Sequence, residues 1–319
     1  MTTTHEIAPA LAFDVEVASV VRLSPSFVRV TFAGPSLARF HAGGPLGTRD
    51  LRIKVIIPSG GRRPTGLGDL SDGWYQRWLA MDPEERGSMR TYTVRRARVS
   101  GADPQVDVDF VLHLDGLGRG GPASTWASEA RVGDRVTLIG PNAGCEGYGG
   151  IEWQPHRDDS PRRPVRLLLA GDETAVPAIS SVLESLPAGS RGHAVLEVPG
   201  ADDFQRIATS AGVEVTWLAR GARPHGRLLT DAVRGILDAS PPGAVTRSAS
   251  PLDEVDIDSE ILWETPGQEP VDDSDFYAWI AGEAAMVREL RRYLVRDRGV
   301  DRRKVAFMGY WRQGRAETV

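Results

Sequence analysis

Three short stretches carry side chains whose types and spacing suit binding chemistry. In Arg90-Thr91-Tyr92-Thr93-Val94-Arg95 a cation, an aromatic ring and a hydroxyl alternate on residues that read as a strand. Arg90, Tyr92 and Val94 then share one face, so a planar ring could stack on Tyr92 while Arg90 forks onto a phosphate. An exposed edge strand would show the same residues. Gly116-Leu-Gly118-Arg-Gly-Gly121 fits G-x-G-x-x-G between a strand and a helix. It is not read as a Rossmann start, because the strand before it alternates and Val136–Ile139 after it has no acidic residue at its carboxyl end. Free N–H groups at such a turn still suit a phosphate, the alternative being a tight turn and nothing more. Asp172-Glu173-Thr174 follows an apolar run, and Asp172 and Thr174 have helix-capping chemistry.

Lysine is rare: Lys54 and Lys304 stand among 38 basic residues. Lys54 alternates with Leu51, Ile53 and Val55 and has Arg52 on its own side, so it could draw an anionic ligand. A solvated strand lysine is the plainer reading. Lys304 reads as a surface charge ahead of an apolar strand.

Other chemistries find no footing. The single cysteine, Cys145, excludes intramolecular disulfides and cysteine-ligated clusters. Six histidines show no metal-ligand spacing, so no metal site is expected. No G-x-S-x-G elbow, Walker A motif or H-E-x-x-H is present, and no catalytic acid, base or nucleophile is assigned. The formal charge of −5 conceals an asymmetry: 251–275 holds ten carboxylates and no Lys or Arg. The rest of the chain is mildly basic, yet no block of cations with interleaved aromatics would follow a nucleic acid. No apolar run reaches the length of a membrane helix and no secretory leader is visible, so a cytoplasmic protein without membrane insertion is expected. A monomer is expected.

The elements that must position these residues fall into two grammars. Phe13–Val17, Leu51–Val55, Val106–Leu114 and Arg135–Ile139 alternate with period two, as half-buried antiparallel strands do. One helix, about Ala123–Ala130, interrupts them. From Val165 the runs become continuous and alternate with helices, as in a doubly wound parallel sheet. Strands are expected at 166–170, 193–198, 213–218, 276–281 and 304–309, and helices near 177–186, 204–211, 228–237 and 283–297. The fold class is therefore β + α/β. An antiparallel β-barrel domain, 1–155, precedes a parallel-sheet nucleotide-binding domain, 165–319. The latter carries an acidic insert at about 241–275, read as a solvated excursion.

Four ordered segments add a resemblance. Arg90-x-Tyr92-Thr93 resembles the R-x-Y-[ST] flavin motif of the ferredoxin–NADP reductase superfamily. His113 with Gly121-Pro122-Ala123-Ser124-x-Trp126-Ala127 is similar to the H…GPAS-x-WA segment of siderophore-interacting proteins, the flavin-dependent ferric-siderophore reductases. Ala170-Gly-Asp172-Glu173-Thr174-Ala175 resembles that family's AGDETA, and Tyr277–Ala284 and Gly309–Gly314 resemble its YAW-x-AGEA and GYWR-x-G.

The resemblance implies FAD and NAD(P)H as cofactors and a ferric siderophore, often anionic, as partner. It places Tyr92 and Thr93 at the isoalloxazine and Arg90 at the pyrophosphate. His113 and Gly121, Pro122, Ala123, Ser124 and Trp126 would hold the rest of FAD. Asp172, Glu173, Thr174 and Ala175 would stand where nicotinamide meets flavin, with Trp311 closing that mouth. Lys54, Arg312 and Arg119 are the candidates for holding the chelate. The spacing of seven residues between His113 and Gly121 is a departure that touches the phosphate contacts of this loop. For the donor, Glu197, Asp202 and Asp203 after the second parallel strand favour NADH, against Arg206, Arg220 and Arg223. A general flavin reductase serving an oxygenase, and a non-redox siderophore-binding protein, remain the alternatives.

Overall fold

Val106, Val108 and Phe110 bury against the core of the first unit while Asp107 and Asp109 point to its outer wall, where each meets cations across the neighbouring strands. Asp109 takes both nitrogens of an Arg29 fork at 2.6 and 2.8 Å. Asp107 accepts from Thr31 at 2.9 Å and from Arg98 at 2.7 and 2.8 Å. These pairs fix the register of a strand that the apolar alternation has already oriented.

That strand is one of six in the first of two compact units, which divide between Ile151 and Glu152. The computed structural model describes residues 8–59, 67, 70, 73–115, 117–145, 149–155, 165–239, 262–266 and 276–314. In the first unit β1 (Ala10–Ser24), β2 (Phe27–Ala33), β3 (Arg52–Ile57), β4 (Ser88–Arg98), β5 (Gln105–Val111) and β6 (Arg135–Pro141) close into an antiparallel barrel in the order β1-β2-β5-β4-β3-β6. Helices α1 (Trp74–Ala80) and α2 (Pro83–Arg86) lie between β3 and β4, and α3 (Pro122–Glu129) lies between β5 and β6. The sequence reading had one helix here and no β2. Trp78 of α1 is buried with Ile56, Met89 and Ile139, which face outward from the barrel.

In the second unit β7 (Arg166–Gly171), α4 (Val176–Ser185), β8 (Arg191–Val198), β9 (Gly212–Ala219) and α5 (Arg227–Asp238) come first in the chain. They are followed by β10 (Trp263–Glu264), β11 (Phe276–Glu283), α6 (Ala284–Arg291) and β12 (Val305–Trp311). The sheet order is β10-β12-β11-β7-β8-β9, parallel except for β10. The chain leaves β7 toward β8 and leaves β11 toward β12, so the strand order reverses between β7 and β11. Ligands of such sheets bind outside that reversal, at the strands' carboxyl ends. Among the described residues no helix is long and apolar enough to cross a membrane.

Three expectations are corrected. Residues 204–211 form no helix; a 3-10 turn, Ala201–Asp203, precedes them, and Thr209 Oγ1 instead ties the segment to the Leu183 carbonyl at 2.6 Å. The acidic insert is not wholly a solvated excursion. Most of it lies outside the described residues, but β10 pairs antiparallel with β12, Leu262 is buried, and Glu264 clasps Arg291 at 2.6 and 2.9 Å. Lys304 is 5% exposed, so it is no surface charge. The expected helix 283–297 is α6 continued by a π-helical stretch, Arg292–Asp297.

Phe110 is wholly buried and central to the aromatic packing described below. Phe110→Ala is expected to cost about 3–5 kcal/mol, read from the midpoint of urea unfolding at unchanged slope.

Candidate functional site

The first unit gathers most of the motif residues around Phe110. The Tyr92 ring lies 4.3 Å from that of Phe110, and Phe110 lies 5.6 Å from Trp126. Trp126 in turn stacks on Phe32 at 6.2 Å and 13°. Tyr92 and Trp126, 34 positions apart, therefore share a neighbour. Trp126 is half-buried core packing, and Tyr92 keeps part of its ring exposed. Ser124 Oγ accepts from the His113 amide at 3.2 Å and donates to the Val111 carbonyl at 3.1 Å, stitching the end of β5 to the start of α3. Gly121 at the N-cap supplies no side-chain acceptor, and Pro122 needs none. The first amides of α3 thus keep the capacity to receive an anion.

Around that helix start, His113 lies past the end of β5 and is exposed, as are Gly121 and Pro122. Gly116 lies outside the described residues. The rest of the loop is a closed turn: Asp115 accepts from the Leu117 and Arg119 amides at 2.9 and 2.8 Å and pairs with the Arg119 guanidinium at 3.1 Å. These bonds, the Arg119 amide first, hold the Asp115 carboxyl below its usual range. Arg119 thus closes the turn through a pair at the surface, with its side chain 74% exposed.

Lys54 and Arg52 line one shallow groove of 240 Å³ on the barrel wall, with Thr91 opposite. Lys54 Nζ donates to Thr91 Oγ1 at 2.7 Å, because β3 and β4 register Lys54 against Thr91. The same register sets Val55 against Arg90, Ile53 against Tyr92 and Arg52 against Thr93. Arg90 is half-buried, with one nitrogen on the Met89 carbonyl at 2.7 Å; Thr93 is buried.

In the second unit a charged cluster fills the strand reversal. Asp172, 0% exposed, meets four donors. Its Oδ1 accepts from the amide and hydroxyl of Thr174 at 2.9 and 2.5 Å. Its Oδ2 accepts from the Glu283 amide at 2.7 Å and from Trp311 Nε1 at 2.9 Å. One carboxylate thereby joins the ends of β7, β11 and β12. Gly282 admits it, since its φ is +143° and a Cβ there would stand 2.6 Å from Asp172 Oδ2. Glu173 is buried and grips Arg220 at 2.8 and 2.9 Å, while Arg220 also reaches Glu197 at 3.3 Å. His225 Nε2 lies 3.5 Å from both Asp172 and Glu173, its ring edge-on to Trp311.

Asp172, Glu173 and Ala175 are buried, while Thr174 and Trp311 stay partly exposed. The arrangement revises one role. Glu197, expected at a ribose, is 0% exposed and accepts from the amides of Gly226 and Leu229 at 2.8 and 3.0 Å, capping α5. Asp203 is buried, its carboxylate on the Gly200 amide at 3.2 Å. Arg220 is consumed as well, leaving Asp202, Arg206 and Arg223 exposed near the ends of β8 and β9. Sequence reasoning missed His225 and Arg220 as members of the cluster. Their only signal was position, just after the third parallel strand and before a helix.

Asp172, Glu173 and His225 place ligand atoms within 4.8 Å of one another. A cation there would have to displace Trp311, the Glu283 amide or Arg220, so the cluster reads as a shared-proton network. Burial, then the Glu173 charge, pushes the Asp172 carboxyl up. Burial alone would lower His225, but Glu173 and Asp172 outweigh it and raise the imidazole. A base that holds its proton more tightly when folded favours the fold below its unfolded value of about 6.5, and that contribution drains as pH climbs through the folded value. The melting temperature is therefore expected to fall as pH rises above about 6.5, and less steeply in His225→Asn. Equal slopes in the two proteins would refute this.

Comparison with known proteins gives the family. Residues 16–145 match the model of the siderophore-interacting FAD-binding domain, and residues 165–314 match that of the siderophore-interacting protein. A protein of uncharacterised function from Mycobacterium tuberculosis is 32% identical over 312 residues, covering 95% of this chain and 91% of its own. Ferric vibriobactin reductase ViuB of Vibrio cholerae is 27% identical over 92% of this chain and 87% of its own. Among solved structures, a siderophore utilization protein from T. fusca superposes with a TM-score of 0.67 at 25% identity, over 98% of this chain and 97% of that one. An Amycolatopsis cytochrome P450 reductase shares the fold at a TM-score of 0.55 and 16% identity, over 95% of this chain and 70% of that one. With both consecutive models matched and relatives aligned along nearly its whole length, this chain belongs to the siderophore-interacting protein family, on a ferredoxin reductase-like fold.

Proposed function

We propose that this chain is an FAD-dependent ferric-siderophore reductase, drawing electrons from NAD(P)H and delivering them to Fe(III) in an anionic siderophore so that Fe(II) is released. The observation that carries the reading is the meeting of Tyr92, Trp126 and Ser124 about Phe110 and the end of β5, beside a helix start with no side-chain cap. That set fits a flavin dinucleotide: a partly exposed aromatic face, a cation on the same strand, and amides ready for a pyrophosphate. The names of relatives support it, since ferric vibriobactin reductase of V. cholerae and ferric acinetobactin reductase of Acinetobacter baumannii both align with this chain.

When bound, FAD supplies the exchange between two-electron and one-electron chemistry, so the chain needs no general acid or nucleophile of its own. Its residues then have four tasks. Arg90 and the start of α3 hold negative charge, Tyr92 and Thr93 set the plane of a ring, and Trp126 keeps that wall rigid through Phe32 and Phe110. Lys54 with Arg52 in the first unit and Arg312 in the second supply cations for a chelate. Reduction releases the metal because hard oxygen donors hold Fe(II) far less tightly than Fe(III).

The purified protein is expected to be yellow, to bleach anaerobically with NAD(P)H and to recover its colour with a ferric siderophore. A colourless protein after reconstitution with FAD would overturn the reading, and colour restored by free flavin but by no ferric chelate would favour a general flavin reductase. Arg90→Ala is expected to lose FAD about tenfold more readily, on the scale of one charge-assisted hydrogen bond, read by equilibrium dialysis. Lys54→Ala is expected to raise KM for an anionic chelate several-fold at low salt with kcat kept, and the gap to wild type is expected to narrow as salt screens the charge.

A further inference from the structure

The sheet of the second unit ends on one side at β9, which pairs with β8 and with no other strand among the described residues. The amides of Gly212 and Arg220 donate to the Ser190 and Val198 carbonyls at 2.9 Å, so the even-numbered residues of β9 turn their backbone groups toward β8. In a parallel ladder the residues between them point the other way. Val213, Val215, Trp217 and Ala219 therefore aim their amides and carbonyls at the sheet's outer margin.

Proteins blunt such a margin with short strands, proline, lysine or a bulge. β9 uses none of these. It is eight residues long, runs in unbroken register with β8, and carries Glu214 as its one charge. Trp217 is half-buried beside Phe204, whose ring stacks on it at 5.7 Å and 29° and is 43% exposed. An apolar, regular edge of this kind is a template for another strand.

We infer that the strand it takes is β9 of a second copy of this chain, paired antiparallel about a two-fold axis through Thr216, so that the chain is a dimer rather than the expected monomer. Backbone geometry selects that register. Residues that exchange hydrogen bonds across an antiparallel pair must both face outward, so odd-numbered residues meet odd-numbered ones. Centring on Thr216 sets Val213 against Ala219 and Val215 against Trp217 of the second copy, which uses every outward residue. Moving the axis to Val215 or Trp217 leaves an end residue of each copy unmatched.

Side chains and charge agree with it. Val215 against Trp217 joins a β-branched residue to an aromatic ring, and Thr216 meets Thr216 on the axis, both favourable cross-strand pairs. The antiparallel sense brings the end of β9 that carries Glu214, 73% exposed, to the end of the second copy that runs on into the exposed Arg223. A parallel pairing would stack Glu214 on Glu214. The edge is thus complementary to itself, a match that a foreign strand would not require. A two-fold interface also closes on itself and leaves no β9 margin to recruit a third copy.

Sedimentation velocity of the full chain over a range of concentrations tests this, and a monomer–dimer equilibrium is expected. Val215→Pro removes an outward amide and keeps the bonds to β8, a change that edge strands tolerate. It is expected to raise the dimer dissociation constant at least about tenfold, on the scale of two backbone hydrogen bonds. Glu214→Lys sets like charges together and is expected to raise the constant several-fold at low salt, and less at high salt. Hydrogen exchange at the Val215 and Trp217 amides is expected to slow as protein concentration rises, while Thr216 stays slow throughout. A chain that is monomeric at every concentration, or a dimer that both variants leave intact, overturns the inference. Association that continues past the dimer overturns the two-fold pairing. A circular dichroism spectrum matching wild type shows that each variant folds; should Val215→Pro not fold, Glu214→Lys and the exchange pattern decide.

Discussion

A carboxylate removed from water must be given donors in its place, and Asp172 obtains its four from three strand ends. Thr174 turns the chain out of β7, the Glu283 amide fixes the end of β11, and the Trp311 indole brings in the end of β12. Neighbouring acids repeat the device: Glu173 with Arg220, Glu197 with the start of α5, Glu283 with the start of α6. The strand reversal is a place where sheet hydrogen bonding ends and backbone groups are left over. In this fold buried acids absorb those groups.

The barrel solves a different problem. Its charged outer wall sets register, but the position of the motif residues is an aromatic matter. Phe32, Phe110, Tyr92 and Trp126 bring β2, β5, β4 and α3 to one place. A flat ligand needs a wall that does not yield, and interlocked rings with few rotatable bonds provide one. Ser124 adds a directional link between β5 and the helix, with one hydroxyl used as both donor and acceptor.

Much of this was legible in the residues themselves. Alternation in Val106–Phe110 and continuity in Leu167–Ala170 report directly whether one face or two are covered, and those two patterns separate barrel from parallel sheet. What escaped were features set by partners distant in sequence. Residues 204–211 have a helix-like spacing of apolar groups, but Thr209 is drawn to the end of α4 and the segment forms no helix. Lys304 is a charged residue beside a strand, and nothing local shows that the fold closes over it. Glu197 sits where a ribose-binding acid would, and only the approach of α5 from 29 residues on reveals its other employment.

The two-residue β10 lies in the middle of a stretch so acidic that it invites deletion as a mere solubility tail. Yet Glu264 is the counterion of Arg291, whose side chain is 3% exposed, and Leu262 fills the seam beneath. A trimmed chain would take that counterion from a buried guanidinium and bare the hydrogen-bonding margin of β12, a template for unwanted association with other chains. Engineers wishing to shorten this protein would do better to cut on either side of that anchor than through it.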